Sequence, residues 1–203
     1  MYGRIEMPLT NEEKIIILGK ETEEIYQNYL LGNNAYCFSP SPTFESINKY
    51  DDFKSDVANL MGVHKNNVGI FGSGKIGFSL NPINGLKDFT EQSDIDIAIV
   101  SSEHYAIFRK EYIEEFYNGR FKFYKHKKVA SAIFRKFIIF DGFSEKNELY
   151  RKWIEDTGEF ESTIQMKYEL VNDINYRIFE SWDAVSYYYK KSIKECKEKY
   201  VCE

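Results

Sequence analysis

Asp94 and Asp96 are the residues of this sequence best placed to do chemistry. They stand two apart in Ser93-Asp94-Ile95-Asp96-Ile97-Ala98-Ile99-Val100, where acids give way to alternating apolar residues. On an extended strand, residues i and i+2 project to one face. The spacing therefore predicts two carboxylates side by side, with Ile95, Ile97 and Ile99 turned into a core. Two such charges repel unless a cation lies between them. Magnesium is the natural candidate, because it binds through one or two carboxylates plus substrate phosphates.

A second stretch complements the first. Val68-Gly69-Ile70-Phe71 is a short apolar run, followed at once by Gly72-Ser73-Gly74-Lys75-Ile76-Gly77. The run predicts a buried strand. The glycines after it allow a sharp turn and close approach of the backbone to a ligand. A helix opening at Gly77-Phe78-Ser79-Leu80 would set free N–H groups and a positive dipole end beside that turn, which suits an anion.

Gly72-Ser73 followed by Ser93-Asp94-Ile95-Asp96-Ile97 resembles the signature of the polymerase-β-like nucleotidyltransferase superfamily: Gly-Ser, a spacer, then Asp-x-Asp on a strand. The resemblance covers residues 66–101. It implies an α/β fold, with a small mixed sheet flanked by helices. It implies that Gly72 and Ser73, with Gly74, Lys75 and Ser93 nearby, hold the phosphates of a nucleoside triphosphate, Lys75 neutralising phosphate charge. Asp94 and Asp96 would bind Mg2+ (or Mn2+). Members usually add a third carboxylate on a later strand. Asp141, at the end of the predicted strand Lys136–Phe140, is the best-placed candidate here, as metal ligand or base. Its alternative role is to start the Asp141-Gly142 turn.

The implied activity is transfer of a nucleoside monophosphate to an acceptor: a protein side chain, RNA, a small molecule or a nucleotide. An inactive module that binds nucleotide, RNA or a partner protein is the alternative, and a toxin–antitoxin or phage-defence setting is compatible with either. Two features depart from the family pattern. The spacer before Asp94 is long and contains Asn81-Pro82-Ile83-Asn84-Gly85, which looks like an inserted loop. Minimal members, such as the antitoxins, usually carry Arg where Ile76 stands.

The elements that must position these residues read as follows. A helix over residues 10–31 is expected, with Thr10 as cap and Glu13 closing a capping box. A second spans 43–61, and a third follows Ser101 to about Asn118. Residues 144–162 predict another helix, closed at Thr157-Gly158. Residues 162–199 contain no Gly or Pro and predict one long helix. Residues 1–143 then form the nucleotidyltransferase-like domain, and 144–203 a C-terminal helical extension packed on it. His64 reads as a surface turn residue, His104 as a structural residue in the first turn of its helix, and the tyrosines at 187–189 as packing.

Composition bounds the partners. The formal net charge of −5 on 203 residues argues against a generic polyanion binder. Residues 119–136 are the exception, with seven cations and no acid. They read either as a solvated helix or as a contact for RNA or another polyanion. Three scattered cysteines, Cys37, Cys196 and Cys202, suit a reducing cytoplasm. No apolar run is long enough to span a membrane.

Overall fold

The computed structural model describes residues 8–119 and 125–201. Its centre is a four-stranded mixed sheet in the order β1-β2-β4-β3. β1 (Val68–Phe71) runs antiparallel to β2 (Ile95–Val100). β2 is parallel to β4 (Ile174–Phe179), and β4 is antiparallel to the two-residue β3 (Phe137–Ile138). Among the described residues, eight α-helices surround this sheet. The chain is thus mixed α/β. No described helix is long and apolar enough to cross a membrane.

The strands alternate as their sequences dictate. Ile95, Ile97 and Ile99, with Ile174, Tyr176 and Ile178, enter a core covered by α3 (Phe44–Met61), α5 (Ser102–Tyr117) and α7 (Glu148–Tyr168). The opposite face carries Phe71, Ala98, Val100 and Phe179. It is covered by α1 (Asn11–Gly19), α2 (Thr22–Ile25) with the π-helical turn Tyr26–Leu30, and α8 (Trp182–Tyr200). The caps read from sequence form: Thr10 with Glu13 makes a capping box, and Ser101 caps α5; the structure adds a second capping box at Thr43 with Ser46. His64 accepts from Asn66 N–H, and His104 Nδ1 lies 2.8 Å from Ser101 Oγ.

Four expectations are corrected. The helix over 10–31 breaks after Gly19, where Lys20 is extended (φ −69°, ψ 163°), and restarts at Thr22. The helix beside the Gly-Ser turn is α4 (Ser73–Ile76); Gly77, at φ 89°, ends it rather than beginning one. α7 runs straight through Gly158, which faces open space, and stops at Glu169 in a left-handed conformation. The long helix over 162–199 does not form. Its middle is β4, because Ile174, Tyr176 and Ile178 alternate with Asn175 and Arg177 at the period of a strand. The segment after residue 143 therefore supplies an inner strand of the sheet as well as helices.

α6 (His126–Phe134) follows the undescribed residues 120–124 and leads into β3. Much of the basic run there is compensated locally. Lys125 and Lys128 both pair with Asp141, at 3.7 and 2.5 Å, and Lys136 pairs with Glu180 at 2.6 Å. Arg120 and Lys122 lie outside the described residues.

Candidate functional site

The end of β1 and the start of β2 meet at Gly72 and Asp96. Phe71 is the register partner of Asp96, so the turn after β1 wraps over that carboxylate. Gly72 has φ 66° and ψ −151°, a region essentially closed to residues with a side chain. A Cβ built there would lie 2.7 Å from Asp96 Oδ2. The glycine is therefore required twice over, by its backbone and by the carboxylate beneath it.

On the other side of β2, β4 supplies two polar side chains. Asn175 is the register partner of Asp96 and Arg177 that of Ala98, so all three project to one face. Arg177 Nη2 lies 3.0 Å from Asp96 Oδ1, and both side chains are about three-quarters buried. Arg177 Nη1 donates to Tyr189 Oη at 3.3 Å, and its guanidinium faces the Tyr188 ring at 5.6 Å. Asn175 Nδ2 donates to Asp94 Oδ2 at 2.8 Å. Burial pushes the Asp96 carboxyl above its ordinary value, Arg177 draws it back, and Asp94 adds to the rise.

These residues line a cleft of about 940 Å³. One wall is the loop from Ser79 to Ser93. Its base is tied by a Ser79 N–H to Lys87 carbonyl bond and a Phe78–Asp88 bridge. The buried Lys14 anchors it through Asp88 at 2.5 Å and the Leu86 carbonyl at 3.1 Å. Its Pro82 carbonyl accepts from Lys199 and Tyr200 of α8. The residues that look like an inserted loop in sequence thus form a wall braced at both ends. α8 makes a second wall, and Arg135 and Lys136 close the third side.

Gly72, Ser73, Ser93, Asp94 and Asp96 come together in this cleft; Gly74, Lys75 and Asp141 do not line it. Lys75 points inward from α4. It is 3% exposed, donates to the Gly32 carbonyl at 2.5 Å and sits 4.2 Å above the Tyr50 ring. Burial draws its ammonium down to about 7. Gly74 packs toward Phe89, Ile70 and Ile95. Asp141 follows β3 and lines a second cavity. Lys128 and then Lys125 hold its carboxyl below the usual range against the opposing effect of burial.

Arg177, Asn175 and Tyr189 are the site residues that sequence reasoning missed. The alternation around Ile174–Ile178 was the available signal. Among the described residues, no group of three or more His, Cys, Asp or Glu side chains converges as a metal cage. The donor set that the cleft does offer, two neighbouring carboxylates with room for phosphate oxygens, is the kind magnesium uses. In comparisons with known proteins, no family model, no curated protein and no solved structure matches this chain.

Proposed function

We propose that this chain binds a nucleoside triphosphate in the cleft and carries out metal-dependent transfer of its nucleotidyl group to an acceptor hydroxyl. The observation that carries the reading is the apposition of the Gly72-Ser73 turn to Asp96, with Asp94 on the same rim. The N–H group opening α4 at Ser73 belongs to a first helical turn, which lacks an intrahelical partner for it. With the Gly72 backbone it orients the terminal phosphates. Asp94 and Asp96 are the residues to hold magnesium or manganese together with phosphate oxygens. The ion would neutralise charge gathering on the leaving pyrophosphate. Arg135 and Arg177 add fixed positive charge, and positioning and charge stabilisation supply most of the rate.

Calorimetric titration with a nonhydrolysable nucleoside triphosphate tests this. Wild-type protein binds it with magnesium and much more weakly without. Asp94→Asn keeps the melting temperature but loses the magnesium-dependent part. Equal affinity in the variant removes the metal role of Asp94.

A second reading rests on Arg177. A guanidinium already neutralises Asp96, and the strand beside the acid pair offers Asn175 and Arg177 rather than another acid. That arrangement favours a nucleotide-binding module without turnover. Release of pyrophosphate that disappears in Asp96→Ala selects the enzyme. Magnesium-independent binding with no pyrophosphate from any of the common nucleoside triphosphates selects the module.

A further inference from the structure

We infer that the acceptor is a single-stranded polynucleotide, and that it lies along the end of α6 and across the mouth of the cleft. Its role as acceptor rests on the cleft carrying out nucleotidyl transfer; the binding surface does not. The first mark of that surface is a pair of free aromatic rings. Phe134, the last residue of α6, is 87% exposed, and Tyr187 of α8 is 77% exposed. Both line the cleft that holds Asp94 and Asp96. Neither ring has an aromatic or cationic neighbour among the described residues. Tyr188 and Tyr189 do pack, on Phe137 and Phe71 at 5.0 and 4.4 Å, so Tyr187 departs from the packing role expected of all three.

The second mark is charge. No acid occurs in α6, or anywhere from Gly119 to Lys136. Lys127, Ser131 and Arg135 recur every four residues, so they share one stripe of the helix and its cap, with Phe134 beside them. All four are exposed. Lys127 and Arg135 pair with no carboxylate among the described residues, and neither does the exposed Arg109 of α5. Arg109 lines a shallow hollow of about 410 Å³, and Phe134 borders both that hollow and the cleft. Arg135 is held in place by the Phe137 and Tyr188 rings, 5.0 and 5.4 Å from its guanidinium. The acids of this rim are already answered: Glu180 by Lys136 at 2.6 Å, with Asp183 acting on the same lysine, and Glu195 by Lys191 at 3.5 Å. The surplus here is positive, in a chain whose net charge is −5.

An apolar protein surface would cover the two rings and strand the cations. An acidic peptide would answer the cations and leave the rings in water. A duplex does the same, because its bases already stack on one another. A single strand meets both demands: its phosphates release counterions at Lys127, Arg135 and Arg109, and its bases offer ring faces to Phe134 and Tyr187 whatever the sequence. A strand running from Arg109 past Phe134 brings its end to the cleft where Asp94 and Asp96 stand. There its terminal hydroxyl oxygen bonds to the α-phosphorus of the nucleoside triphosphate. The bond from that phosphorus to the bridging oxygen breaks, pyrophosphate leaves with that oxygen, and the hydroxyl proton passes to water.

The test uses the full chain and short strands of oligouridine RNA and oligothymidine DNA, labelled at the 5′ end and followed by fluorescence anisotropy between about 50 and 200 mM salt. At least one strand binds saturably, about tenfold or more tighter than a duplex of equal length. The tighter of the two identifies the sugar. Phe134→Ala and Tyr187→Ala each weaken the strand about fivefold or more. Both leave the melting temperature unchanged, because both rings are exposed. Lys127→Ala and Arg109→Ala each lower the slope of log affinity against log salt by about 0.7. No saturable binding, equal affinity for duplex, or unchanged affinity in both aromatic variants overturns the inference. With magnesium and the common nucleoside triphosphates, the bound strand lengthens at its free 3′ end. Pyrophosphate release without lengthening overturns the strand as acceptor. Strand binding as expected, with neither lengthening nor pyrophosphate, counts instead against nucleotidyl transfer in the cleft.

Discussion

Replacing Gly72 with Ala adds one methyl group at the point where the two strands of the candidate site meet, and its cost follows from two separate terms. The first is backbone strain. At φ 66° and ψ −151° a residue with a Cβ sits in a region used almost only by glycine, at about 1–3 kcal/mol. The second is steric. The new Cβ would stand 2.7 Å from Asp96 Oδ2, closer than real Cβ contacts come, so the carboxylate must shift. Shifting it loosens the 3.0 Å pair with Arg177. A charge-assisted hydrogen bond is worth about 1.5–3 kcal/mol when buried, and the partial exposure of this pair reduces that to about 1. Together the terms give about 3 kcal/mol, a fall of roughly 6–12 °C in melting temperature for a chain of this size. Urea denaturation and calorimetry measure it. The steric part vanishes when Asp96 is truncated, so Gly72→Ala costs about 1 kcal/mol less in an Asp96→Ala background, while the backbone part stays. A single-variant loss below about 0.5 kcal/mol, or identical losses in both backgrounds, would refute the apposition of Gly72 and Asp96 on which the functional reading stands.

Two further outcomes are expected. Lys75 is charged up to its ordinary value of 10.5 in the unfolded chain but only to about 7 in the fold, because burial disfavours the ammonium. The unfolded state then binds more protons between these values, so this group makes stability rise with pH from about 7 toward 10. Lys75→Met flattens that rise in urea titrations at pH 7, 8 and 9, and an unchanged slope would show that the ammonium is not buried as described. Arg177→Met leaves Asp96 as an uncompensated, largely buried acid and costs about 1–3 kcal/mol at neutral pH. Adding Asp96→Asn recovers part of that loss, and no recovery in the double variant would show that the two side chains are not coupled.

Local pattern carried much of the fold and part of the site. The apolar run 68–71, the alternation at 94–100 and the caps at Thr10 and Ser101 are read within a few residues, because side-chain period and cap hydrogen bonding are local. The same stretches implied that Gly72, Ser73, Asp94 and Asp96 face one space. β4 was harder to see, since a six-residue strand with one half-polar face, set between two helical patterns, shows its character mainly through its partner. Its neighbour β2 lies almost eighty residues earlier, and only their pairing sets Asn175 and Arg177 beside the acids.

Direction was equally non-local. The sequence by itself determined that Lys75 stands two residues beyond Ser73 and that Asp141 follows an apolar run. The packing of α4 against Tyr50 and the Gly32 carbonyl turned Lys75 into the interior. The early end of β3 put Asp141 among Lys125 and Lys128 at a separate cavity. Residue spacing sets which side chains can share a face. Which faces then meet, and with which charge opposite, is settled by long-range strand pairing and by the burial that pairing enforces.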